Sequence, residues 1–273
     1  MYTGGLVLAL LVPIGALLVV GVGIPIVRAV VDSVRSDPTG QSAYSALFDD
    51  PVYWRVLVRT VLTGAATTLV AFLLAYPTAE LIVRSSATTR FLLLGMVLVP
   101  LWSATVARTY GWVGILVRDG LADRTAALFG AGPLQLLYTR GAVWIGMIHA
   151  LVPLLILPAY AALRRYDESL TRASLSLGAG RMRTLMLVKF PVLAPALLAA
   201  CAAVFVLALG FFETPALLGG PTSQLVSNLI AQQVFSRFDM PRAEAMSLTL
   251  LAAALAALAV FGGVGYLIRR MFR

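Results

Sequence analysis

The chain has 273 residues, of which 60% are hydrophobic and 12% charged, about half the charged share of a soluble domain. A mean hydropathy of +0.92 excludes a water-soluble globular protein, and one Cys and one His exclude a disulfide framework and argue against a structural zinc site or a Cys/His catalytic pair. The net charge of +9 would suggest nucleic acid in a soluble protein, but the loop distribution below accounts for it, and no nucleic-acid partner is expected.

A hydrocarbon core takes roughly 20 apolar residues per helical crossing. Apolar runs bounded by charge lie near 5–27, 56–83, 91–107 (with apolar character running on towards 117), 141–162, 192–212 and 246–268. They are too long for strands and do not alternate, and a spanning segment must satisfy its own backbone hydrogen bonds. The fold class expected is therefore an all-α membrane protein with six transmembrane helices. The first run lacks a basic start and is too long for a cleaved leader, so residues 1–31 read as a retained first span. Between the first two runs, Asp49-Asp50-Pro51 breaks the chain before Tyr53 and Trp54, read as aromatic anchors of an interfacial helix. The stretch 121–139 mixes leucines with Gly130, Gly132 and Pro133, too broken to span, and reads as a second interfacial piece.

Lys and Arg concentrate in alternate loops. Arg84, Arg90, the six basic residues of the fourth loop and the three of the C-terminal tail face two acids, Asp167 and Glu168, whereas the other loops are net acidic. Cytoplasmic loops keep the positive residues, which puts both termini in the cytoplasm. No linker, low-complexity tract or repeat divides the chain, so 1–273 is expected to form one transmembrane domain without a soluble module.

Few residues inside the spans carry charge. Glu80 follows Tyr76-Pro77 with Arg84 four positions on, the spacing of an interfacial ion pair, with a gate residue as the alternative reading. Arg108 falls towards the outer end of the third run, placed to snorkel or, with Tyr110, to meet a partner outside. His149 reads as an interhelical hydrogen-bond donor, since no second titratable group lies within a turn. Cys201 reads as a small buried apolar residue. Glu213, in Gly210-Phe211-Phe212-Glu213-Thr214-Pro215, is an acid at the end of the fifth run. Together with Phe211 and Phe212 it could line a path for a cationic solute, by charge attraction and cation–π contact, or pair with a loop arginine. No Gly-x-x-x-x-Gly-Lys-Ser/Thr run, catalytic triad or paired-carboxylate constellation occurs. An enzyme is not expected, no cofactor is expected to bind directly, and any energy source must lie on another chain.

The fourth loop, 163–191, carries the densest signal. Asp167 to Lys189 reads as two short helices hinged at Gly178, with Pro191 restarting a helix. Ala173, Ser174, Gly178 and Ala179 permit close approach, and Leu170, Leu177, Met182, Leu185 and Met186 offer an apolar face for a partner's groove. On residues alone, an amphipathic loop resting on the anionic inner leaflet is an equal reading.

This loop resembles the cytoplasmic signature of ABC importer permeases, Glu-Ala-Ala followed by Gly and a downstream Pro, which forms the helix that docks into an ATPase subunit. Here Arg172-Ala173-Ser174 occupies the Glu-Ala-Ala place, with Leu177-Gly178-Ala179 and Pro191 following. Arg172 replaces the signature's Glu, so that residue's ion pair is not carried over, although Glu168 lies one turn back. Further runs, among them Phe48-Asp49-Asp50-Pro51-Val52-Tyr53, Arg108-Thr109-Tyr110-Gly111-Trp112 and Pro215-Ala216-Leu217-Leu218-Gly219-Gly220-Pro221, look like the spermidine/putrescine branch over about 44–265. The resemblance implies a type I importer permease in a bacterial inner membrane, working by alternating access. It implies as partners a second, similar permease, two cytoplasmic ATPase subunits that use the ATP, a periplasmic solute-binding protein and the surrounding membrane lipid. Polyamine is the leading substrate, with other amines, organic acids and oxyanions as alternatives. An autonomous channel or ion-coupled carrier is the rival reading, and would want paired intramembrane ionisable groups.

Overall fold

The computed structural model describes residues 12–34, 42–130, 132, 134–271. Among these the chain is helical, without strands: α1 Val12–Val34, α2 Ala43–Phe48, α3 Pro51–Arg84, α4 Ala87–Trp102, α5 Thr105–Leu116, α6 Leu121–Leu128, α7 Arg140–Arg165, α8 Glu168–Ser176, α9 Arg181–Leu209, α10 Glu213–Leu218, α11 Val226–Gln232 and α12 Met240–Met271. Five of them (α1, α3, α7, α9 and α12) are long and apolar enough to cross a membrane, and the bent pair α4–α5 makes a sixth crossing if counted as one span. The first eleven residues of the expected first span lie outside the described part.

The chain forms two compact units, one of residues 1–55 and 229–252, the other of 56–228 and 253–273. In the first unit, Ser33 at the end of α1 shares a hydrogen bond with the Tyr44 hydroxyl of α2. The apolar side chains of α1, such as Leu17 at 74% exposure, form a surface suited to hydrocarbon or to another chain. Asp50 caps α3 by accepting from the Val52 N–H at 2.8 Å, and its other oxygen meets Arg242 at 2.7 Å. Pro51 then occupies the first helical position, where its missing N–H costs nothing. The interfacial helix expected around Tyr53 and Trp54 is thus the first turn of the span itself. Tyr53 is buried rather than an interfacial anchor, with its hydroxyl on Thr249.

The second unit holds the core. On α7 the buried residues Val143, Met147, Leu151, Leu155 and Ala159 recur every fourth position, and they pack against Leu193, Leu197, Val204 and Ala208 of α9. On α3 the fully buried Ala71, Ala75 and Ala79 keep the same spacing. Small residues matter here because lipid tails are as apolar as leucine, so spans associate through close dispersion contact rather than hydrophobic burial. Gly64 shows how close: a Cβ there would lie 3.3 Å from the Phe205 ring of α9.

Two expectations fail locally. The third run does not pass straight through: α4 and the following stretch Thr105–Leu128, which holds α5 and α6, are bent by 97°, with Ser103 and Ala104 extended between them. Nor does Pro191 restart a helix. The helix runs unbroken from Arg181 to Leu209, and a π turn at Leu185–Lys189 precedes the proline, a device that absorbs the hydrogen bond proline cannot make. The stretch 121–139 does not span. Its short α6 is closed by Asp123, whose carboxylate accepts from the N–H groups of Asp119 and Leu134.

Candidate functional site

Two regions collect the candidate residues. The first is the α8 loop. Asp167 caps α8 by accepting from the Ser169 N–H at 2.9 Å, and hydrogen bonding from the Ser169 side chain and then from this N–H, helped by the nearby Arg172 charge, holds its carboxyl below the usual aspartate range. At the other end Gly178 takes the left-handed conformation, φ +85°. Its N–H bonds to the Leu175 carbonyl and that of Ala179 to the Ser174 carbonyl, the paired bonds that close a helix at glycine. The hinge expected at Gly178 is therefore a sharp stop, followed directly by α9.

Between these ends α8 has two faces. Leu170, Ala173 and Leu177, at helical spacing, are exposed, Leu177 at 89%, and Arg172 is exposed beside them. The opposite face is fastened down. The Thr171 hydroxyl bonds the Tyr166 hydroxyl and Ser174 Oγ bonds Thr184 Oγ1, each at 3.0 Å. Ser174 and Ala179 are half-buried, so of the small residues Ala173 and Gly178 leave the outer side open to close approach. Pro191 is half-buried inside α9. Glu168 pairs with Lys189 at 4.0 Å rather than with Arg172.

Beneath the loop lies a cluster that sequence reasoning caught in part. Glu80 and Arg84 form the expected i,i+4 pair on α3, but Glu80 also accepts from Lys189 Nζ at 2.8 Å. Lys189 stands 109 positions from Glu80 and reads in sequence as one more positive loop residue. Nothing local in the sequence signals that it turns inward.

The second region is a cavity of about 470 Å³ at the α4–α5 bend. Arg108, expected as an outer contact, and Phe211, Phe212 and Glu213, expected as a path, all line it together with Ser103 and Thr105. Arg108 Nη1 donates to the Pro100 carbonyl at 2.7 Å, and Ser103 Oγ does so at 2.8 Å. That carbonyl is left without a helical partner by the bend, and a cation suits the negative end of α4. Glu213 opens α10, where an acid suits the positive end of the helix, and it forms no ion pair among the described residues. Its reading as half of a pair with a loop arginine is not met. Past the end of α9 the Phe211 carbonyl accepts from Ser227 Oγ, and the Phe212 carbonyl, which takes the Ala216 N–H as the first bond of α10, also accepts from Asn228 Nδ2. Tyr110, two positions from Arg108, is exposed and does not line the cavity. His149 accepts at Nδ1 from Trp112 Nε1 at 3.2 Å, an acceptor where a donor was expected.

The Pro215–Pro221 run explains its glycines. A Cβ at Gly220 would come within 2.6 Å of the Tyr138 carbonyl and one at Gly219 within 2.4 Å of the Pro215 carbonyl, and Gly146 on α7 faces Leu218 and Thr214 of α10 as closely. These contacts set α10 against α7 and fix the position of Glu213 at its head.

No protein-family model matches the chain. It is 30% identical over 203 residues to the spermidine/putrescine transport system permease protein PotB of Escherichia coli K12, covering 74% of each chain. It is also 30% identical over 217 residues to the inner membrane ABC transporter permease protein YdcU of the same organism, covering 74% of this chain and 69% of that one. A match to the probable sulfate transport system permease protein cysT of Prototheca wickerhamii, 30% over 138 residues, covers 50% and 49%. A chain of the bacterial alginate ABC transporter, crystallised with an alginate pentasaccharide-bound periplasmic protein, superposes with a TM-score of 0.78 over 98% of this chain and 95% of that chain, at 18% identity. The chain belongs to the ABC importer permeases, multi-pass proteins of the inner membrane, and is a transport subunit rather than an enzyme, with ATP hydrolysis residing on a separate ATPase subunit.

Proposed function

We propose that this permease carries a polyamine of the spermidine/putrescine class. The observation that supports it is the identity with PotB over 74% of both chains, joined by an acid, Glu213, at the wall of a cavity with Phe211 and Phe212. An ammonium group is drawn to the carboxylate and its methylene chain to the rings. Arg108 opposes a cation least while its guanidinium is engaged by the Pro100 carbonyl.

The chain acts with a second permease, two ATPase subunits and a solute-binding protein, with both termini in the cytoplasm and the exposed face Leu170, Ala173, Leu177 of α8 as the ATPase dock. ATP and loaded binding protein favour different states of the same path, which is what alternating access requires. Affinity purification of the tagged chain from native membranes is expected to recover an ATPase and a second permease, and uptake of labelled spermidine is expected to fall in Glu213→Gln. Recovery of the chain alone, under conditions that hold known complexes together, would return the channel or carrier reading; spermidine uptake unchanged in Glu213→Gln would remove Glu213 from the path.

Arg108 supports a second reading, an anionic solute, as the sulfate and alginate systems among its relatives carry. Arg108→Gln separates the two: a polyamine carrier keeps or gains uptake, and an anion carrier loses it.

A further inference from the structure

Lys189 ends the π turn in α9 with its side chain 8% exposed. Its ammonium lies 2.8 Å from Glu80 on α3, 4.0 Å from Glu168 on α8, and 5.6 Å from the ring centroid of Tyr166, the residue that ends α7. One buried cation on α9 thus meets groups from the three other elements at the root of the 163–191 loop. Beside it a cavity of about 420 Å³ separates part of α8 from α3 and α9, with Thr171 and Leu175 on one wall and Glu80 and Arg84 on another. The loop is therefore not packed solid against the spans beneath it, and these polar contacts carry much of its attachment.

A buried ion pair adds little stability compared with apolar side chains of the same volume, but breaking one partner leaves a charge stranded. Such a pair tolerates movement of its elements together and resists their separation. Arg84, by contrast, is 70% exposed, and solvent can replace it at Glu80.

We propose that Lys189 is the positioning residue that carries movement of α8 into the α3 span, with Glu80 as the group it pulls on and Glu168 as its hold on α8. This rests on the reading of α8 as the ATPase-docking helix. A docked α8 that shifts draws Lys189 with it through Glu168 and the continuous start of α9, and α3 follows through Glu80.

The test uses the whole transporter, permeases, ATPase and binding protein, in proteoliposomes with spermidine as the solute, comparing Lys189→Gln, Lys189→Arg, Glu80→Gln and the Glu80→Gln/Lys189→Gln pair. Lys189→Gln is expected to retain the ATPase subunit and basal ATP hydrolysis while losing about tenfold in both uptake and the stimulation of hydrolysis by loaded binding protein. ATP hydrolysed per solute carried then rises. Lys189→Arg is expected to recover most of the uptake, and the double variant to be no worse than either single one, because both act on one contact. Uptake within about twofold of wild type in Lys189→Gln would overturn the proposal. So would uptake that falls only in step with the amount of intact complex, at unchanged ATP per solute, since that marks a purely structural pair. A wild-type chain that holds no ATPase fails the docking reading itself, whereas a coupled wild type with an unaltered Lys189→Gln fails this proposal alone.

Discussion

Gly178 and Gly146 are required for different physical reasons, and their substitutions separate those reasons. Gly178 has φ +85° with open space around a would-be Cβ, so Gly178→Ala carries a purely backbone penalty of about 1 kcal/mol. Gly178→Asn is expected to cost less, since asparagine tolerates that conformation, and faster amide exchange at the end of α8 in the alanine variant but not in the asparagine variant would confirm it. Gly146 has ordinary backbone but no room: a Cβ would lie 2.6 Å from Leu218 and 2.7 Å from Thr214. Gly146→Ala should displace α10 and lower stability by about 1–3 kcal/mol, read as thermal unfolding in detergent. Asp167 adds a pH dependence. Its folded pKa is lowered by the Ser169 bonds, so the cap supports α8 above the ordinary aspartate range and is lost as pH falls through the lowered value. Amide exchange in α8 should therefore differ between wild type and Asp167→Ala at about pH 5 and above, and converge in stronger acid. Of these three residues, Gly178 was legible in the sequence as a break between helices, though as a hinge and not as the closed helix end it is. The tightness at Gly146 was not, because it depends on α10 lying across α7.

Among the elements, α8 presents Leu170 and Ala173 outward with Leu177 just past its end; of the wider apolar face read from the sequence, Met182 and Met186 are exposed as well and Leu185 is half-buried. Leu177→Asp puts a charge at the C-terminal end of that face while disturbing nothing buried, since Leu177 is 89% exposed. The expected outcome is normal membrane insertion with uptake abolished, and normal uptake would show that α8 docks elsewhere. The spans were legible as elements because hydropathy reports the solvent a segment prefers, and α7 and α9 satisfy it along their whole length. Their backbone breaks were not. Pro100 stands three residues before the bend, but prolines also lie inside the unbroken α3 and α7, and an apolar run reads the same whether straight or bent. The π turn before Pro191 escaped for the complementary reason: proline signals a helix start, yet a helix that enters from Arg181 accommodates it by widening one turn. Arg108 and Glu213 were each noticed singly, and the bend is what brings them to one cavity.

At the scale of the molecule, the basic residues of alternate loops make a strong topological statement. Under the proposed topology the α8 loop lies in the cytoplasm and α6 on the opposite side. With Cys201 replaced by Ala, Leu128→Cys and Leu177→Cys place single thiols at exposed positions, 83% and 89%. A membrane-impermeant maleimide added to spheroplasts is expected to label position 128 at once and position 177 only after permeabilisation; the reverse pattern would invert the topology and exclude α8 as a cytoplasmic dock. The bend after Trp102 bears on the bilayer as well. Sixteen residues of α4 rise about 24 Å, short of a hydrocarbon core of about 30 Å. The extended peptide groups at Ser103 and Ala104 have no place in hydrocarbon, which cannot hydrate them. The bend is therefore expected to face the cavity or a neighbouring chain rather than lipid tails, and a charged solute that reaches Arg108 and Glu213 through that cavity would give up less of its hydration shell than the surrounding lipid would demand.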